Sequence, residues 1–159
     1  MRIRFVVVVA VILMLIGVIA LGSEANSLTF ETSPLEIIST TGNHQFTVEL
    51  ASSSQQHAQG LQFRKELGAG AGMLFDFRRS SIINMWMKNT LISLDMIFID
   101  QQGLIQRIVQ ETQPRSLHVI SSETPAWAVL EVIAGTSKRL GLKPDDRIKH
   151  HIFENSLPQ

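Results

Sequence analysis

The sequence predicts one α+β domain, mainly antiparallel β, built as a small rolled sheet or barrel with two short helices. Three observations lead there. Apolar and polar residues alternate in short runs such as "FTVEL" (46–50) and "MLFDF" (73–77), the period of half-buried strands. Turn-forming clusters, "TTGN" at 40–43 and "DQQG" at 100–103, separate such runs at hairpin distance. Helical spacing of apolar residues occurs only in two short places, so strands dominate.

The elements follow in order. Strands at 35–38 and 45–50 flank the first turn. In "SSSQQHAQGLQFRKELG" the period changes: Ser54 can cap a helix, Ala58, Leu61, Phe63 and Leu67 fall at helical spacings, and Gly68 can stop it. Gly60 weakens that helix and marks a close contact. "GAGAG" (68–72) is a flexible connection. It lacks the Lys-Ser/Thr of a phosphate loop, and a strand rather than a helix follows. Strands are expected at 73–77, 82–88, 94–100 and 104–109. Residues 111–124, with Pro114 and Pro125 near their ends, read as an irregular excursion. A strand at 126–133 leads to a helix "TSKRLG", capped by Thr136 and stopped by Gly141 before Pro144. A last strand spans 147–153. The compact domain is thus placed at residues 34–155.

The N-terminus has another character. Two arginines in residues 1–4 precede an apolar run at 5–21 and small residues at Ala20, Gly22 and Ala25. That order makes residues 1–22 a cleaved signal peptide or a retained membrane anchor. Either fate puts the domain outside the cytoplasm, since Arg2 and Arg4 stay inside. Residues 23–33 read as a polar tether. Without residues 1–22 the chain has 12 positive and 14 negative side chains, a net charge of −2. No basic block survives, so nucleic acid is a poor partner. The chain has no cysteine, which excludes disulfides, thiol catalysis and thiolate metal sites.

Few residues carry chemistry. Met85 and Met87, with Met73 or Met96, have the thioethers of a Cu(I) carrier, but methionines among Ile, Leu and Phe on strands are ordinary core. His44, His57, His118, His150 and His151 lack zinc spacing, and His150 and His151 are expected on opposite faces of the last strand. Asp95 and Glu131 each share a strand face with apolar neighbours, so each needs a partner if that face is buried. Arg64, Lys88, Asn89 and the amides of the 89–93 turn are the candidate donors. Asp95 is expected to clasp that turn, and no metal or cofactor is expected.

The motifs "GLQFRKEL", "GMLF", "WMKNTLISLDMIFID", "AVLEVIAGT" and "LGLKPDDRI" together resemble domain-of-unknown-function family one-ninety-two, small exported or anchored bacterial and archaeal domains. The resemblance implies a β-rich fold and export. It transfers no activity or catalytic residue. It marks Arg64, Trp86, Met87, Lys88, Asn89, Thr90, Asp95 and Glu131 as family-pattern positions, whereas Met85 lies outside the pattern. The family usually has Met, Pro and Gly where this chain has Gln62, Ser93 and Asp145, and the glycine implies a positive-φ turn at the last of these.

The expected function is an extracytoplasmic, non-catalytic domain that binds a small polar ligand, a glycan or an envelope partner through Arg64, Lys88, Asn89, Thr90, Asp95 and Glu131. The alternatives are an envelope-polymer hydrolase or transferase using Asp95 and Glu131 as acid and base, and the copper carrier.

Overall fold

The computed structural model describes residues 28–154. The expected signal or anchor therefore lies outside the described residues, as do residues 23–27 of the expected tether. Seven strands form one sheet in the order β6-β5-β8-β3-β2-β1-β9. They are β1 (Glu31–Ser39), β2 (Gly42–Ala51), β3 (Ala71–Ser81), β5 (Leu94–Ile99), β6 (Ile105–Val109), β8 (Ala126–Ile133) and β9 (Arg147–Lys149). β4 (Asn84–Met85) and β7 (Ile120–Ser121) pair as a separate ribbon. Helices are α1 (Ser54–Gln59), α2 (Thr136–Leu140) and α3 (His151–Glu154). All pairings are antiparallel except β2 with β3, which α1 connects. The fold is the expected α+β rolled sheet, with three short helices among the described residues instead of two.

The sheet curls until its edges meet. Ile148 N donates to Gly103 O, Ile105 N to Asp146 O, and Asp145 N to Ile105 O. Gly103 is required at this seam: its φ is +80°, and a Cβ there would lie 2.5 Å from Ile148 O. Leu35, Ile37, Val48, Leu74, Ile97, Ile99, Leu130 and Val132 fill the interior. The alternate residues of the same strands, Met73, Phe75, Met96, Phe98 and Val129, form a second buried layer outside. Ile83 and Met87 cover that layer. This explains why β5 is buried at every position.

Local differences from the sequence reading have physical causes. β1 begins at Glu31, inside the expected tether, because its pairing with β2 continues to Glu31↔Leu50. Pro34 falls where β1 has no β9 neighbour, so its missing N–H is tolerated. α1 is capped by Ser53 in a capping box with Gln56. It stops at Gly60 (φ +46°), where a Cβ would come within 3.2 Å of Phe75 Cζ. The expected 82–88 strand shrinks to β4, so Met85 and Met87 do not share a strand face. The expected last strand ends at Lys149 and turns into α3, and His150 and His151 stack with centroids 4.1 Å apart instead of pointing to opposite faces. The residue capping α2 is Gly135, not Thr136.

Candidate functional site

Register places residues of five strands in a row across the outer face: Glu49, Met73, Glu131, Met96 and Val109 on β2, β3, β8, β5 and β6. Glu131 is the central member, flanked on both sides by fully buried methionines. It is only 4% exposed. No hydrogen bond or ion pair reaches its carboxyl among the described residues. Burial alone pushes its pKa up to about 8, so the uncharged acid prevails at neutral pH.

Above Glu131 opens a pocket of about 230 Å³. Phe75, Phe77 and Glu131 come from the sheet, and the turn after α1 supplies one wall. His57 belongs to that wall. Its ring stacks on Phe77 at 4.5 Å, and its Nε2 donates to Ala51 O at 2.9 Å. In the neutral ring Nδ1 is then left as an acceptor. The opposite wall is Asn84, Met85, Trp86, Lys88 and Thr90. Asn89, at φ +59°, joins the walls: its Nδ2 donates to Gln62 Oε1 at 3.2 Å, and its carbonyl accepts from Phe63 N at 2.9 Å. Lys88 Nζ sits 5.6 Å from the ring centroid of Trp86, a residue 53% exposed.

Of the six expected site residues, Lys88, Thr90 and Glu131 line this pocket. Asn89 supports it from behind. Arg64 instead forms a bidentate pair with Glu49 at 2.5 and 2.6 Å, which raises its pKa chiefly through that bond. Asp95 lies on the opposite, inner face, beside Val132. It is a clasp, but not for the 89–93 turn. Its Oδ1 accepts from Glu111 N (2.9 Å) and Gly135 N (3.2 Å), and its Oδ2 from Ser137 N (2.8 Å). Those amides open α2 and begin the excursion after β6. The 89–93 turn is held by Thr90 N to Met87 O and Arg115 N to Thr90 O. Asp95 and Glu131 are thus separated by the sheet and do not converge as an acid–base pair.

The methionines do not converge either. Met87 Sδ accepts from Thr112 Oγ1 at 3.2 Å inside the core, Met73 and Met96 are fully buried, and only Met85 lines the pocket. Among the described residues no three His, Asp or Glu side chains cluster as metal ligands. Sequence reasoning missed His57, Phe75, Phe77 and Asn84 as pocket residues. The only signal toward them is Gly60, which marks where α1 must stop above Phe75.

The family model of DUF192, described as an uncharacterized ACR, matches residues 36–150. The chain is similar to the crystal structure of a provisionally assigned transcription regulator from Sinorhizobium meliloti 1021, at 40% identity and a TM-score of 0.77, covering 79% of this chain and 98% of that one. It is also similar to a protein of unknown function from Novosphingobium aromaticivorans DSM 12444, at 34% identity and a TM-score of 0.76, covering 79% and 89%. No curated protein matches.

Proposed function

We propose, from the premise that this chain belongs to the uncharacterised DUF192 family, that it is a non-catalytic binding domain taking a small polar ligand in the pocket above Glu131. The observation that carries this reading is the carboxyl itself. A buried acid without any donor is costly, and natural structures rarely keep one unless it is used. The pocket supports the reading by size. It exceeds a dry cavity of about 150 Å³, which holds benzene. Its lining sets Leu61, Phe75, Phe77 and Met85 beside hydrogen-bonding groups of Gln62, Asn84 and Thr90, so apolar surface and polar groups converge on one space.

The reading includes export, for which the basic start and the apolar run at 5–21 are the support. The regulator label of the Sinorhizobium relative would imply a nucleic-acid partner. A net charge of −2 without residues 1–22 and the lack of a basic block speak against carrying it over.

A thermal-shift screen of the full chain against small polar compounds tests the proposal, with Ala58→Trp as the control. Ala58 is exposed and lines the pocket, so the indole fills it without touching the core. Compounds that raise the melting temperature of the parent should lose that effect in Ala58→Trp. An absence of any stabilising compound, or effects that survive the substitution, would refute the proposal.

A further inference from the structure

Resting on that reading of the pocket, we infer that the ligand carries a primary ammonium group and enters with it foremost, pairing with Glu131. On the floor Glu131 stands between apolar neighbours, while His57, Gln59, Gln62, Asn84, Lys88 and Thr90 stand in the walls. Met73 and Met96 flank Glu131 in register, and Leu61 and Phe75 line the space above. A single donor head on an apolar stem needs only one site, and an ammonium brings three donors.

The neighbouring polar atoms suit such a head. His57 Nδ1 is an acceptor, and the hydroxyl of buried Thr90, without a hydrogen bond among the described residues, can accept as well. The charged groups around Glu131 provide no counterion. From the α1 side comes His57, whose Nε2 is spent on Ala51 O. From β2 comes Glu49, already paired with Arg64. β3, β5 and β6 present Met73, Met96 and Val109. From the 86–90 segment comes Lys88, the only lysine or arginine among the described lining residues, and it lies over the Trp86 ring at the rim. No cation pairs with this carboxyl among the described residues, and one can come with the ligand. Lys88 at the rim would repel a second cation, which favours monoamines over diamines.

Binding would also move a proton. The protonated Glu131 carboxyl and a ligand ammonium become a carboxylate–ammonium pair plus one H⁺ released to solvent. A neutral polyol would release none.

The test uses the full chain in detergent micelles with ¹³C-methyl methionine. Met85 then reports from the pocket wall, and Met73 and Met96 from the buried layer beside Glu131. At pH 7, n-butylammonium chloride should shift these methyl signals saturably, at least tenfold more tightly than 1-butanol. Calorimetry in two buffers of different ionisation enthalpy should show proton release. Glu131→Gln should lose the preference for the amine. Arms with glucosamine and Nα-acetyl-lysine amide separate an amino sugar from a peptide lysine as the source of the ammonium. If methyl glucoside shifts the methionines and butylammonium does not, the pocket reading stands and the ammonium inference falls. If no probe shifts them, both fall. Should Glu131→Gln not fold, amine binding by the parent without proton release overturns the inference by itself.

Discussion

Glu131→Gln should change how stability depends on pH. In the folded chain burial lifts the acid to about 8 from an ordinary 4.5. Between those values the folded state holds one more proton than the unfolded state. Stability therefore falls as pH rises through this window. Below pH 4.5 both states are protonated and the group contributes nothing. Above 8 the loss is complete. At about 1.4 kcal/mol for each tenfold, the full loss is on the order of 5 kcal/mol, from burial alone.

The variant has no ionisable group here, so its curve lacks this fall. The introduced amide also has no partner, which shifts the variant's stability by a constant; the quantity to read is the slope. His150 titrates in both proteins and cancels. Burial first, and His151 second, hold its pKa at about 4, so its contribution is lost as pH falls from 6.5 toward 4 in either chain. Guanidinium melts of the full chain in micelles at each pH unit from 4 to 9 make the measurement. The stability of Glu131→Gln minus that of the parent should rise steadily from pH 5 to 8. A difference that stays flat, or shrinks above pH 6, would refute a desolvated, unpartnered Glu131. Saturating butylammonium should flatten the fall in the parent, because it supplies the missing counterion.

Three further outcomes follow from the same contacts. Asp95→Asn keeps the shape but replaces an acceptor by a donor facing backbone amides, so denaturant melts at pH 7 should show a loss of about 2–4 kcal/mol; an unchanged midpoint would reject the clasp. Met87→Ala should cost about 2–5 kcal/mol and half-exposed Met85→Ala roughly 1 kcal/mol or less, and equal costs would contradict their different placements. Arg64→Met should cost under about 1 kcal/mol by the same melts, since its pair with Glu49 is partly exposed; a loss above about 2 kcal/mol would show that the pair anchors the fold.

Strand existence was legible where the period of two survives, as in β2, whose burial alternates. The face of each acid was not. β5 is buried on both sides, by the barrel interior and by the segments that cover the outer layer, so its sequence is apolar throughout and leaves Asp95 unoriented. The stop of α1 was half legible: Gly60 announced a close contact, but the apolar spacing beyond it suggested more helix. Asp145 stands where the resembling family has glycine, and its φ of +74° agrees. Lys88, Thr90 and Glu131 were legible as polar residues within apolar motifs. His57, Phe75 and Phe77 were not, because they become a wall only when α1 crosses over between the parallel β2 and β3.

Asp95 and Glu131 show what separates a structural acid from a candidate site. They occupy adjacent strands one register step apart, and both are almost wholly buried. Burial therefore cannot distinguish them. Hydrogen bonding does. Three backbone amides converge on Asp95, so its charge is held by groups that would otherwise be orphaned where α2 begins. Both carboxylate oxygens are occupied, and the residue is wholly buried. Glu131 has no donor among the described residues, lies between two methionines, and opens onto a pocket. A substitution series in which Asp95 changes stability at every pH, while Glu131 changes its pH slope and amine binding, would separate the two roles on one sheet.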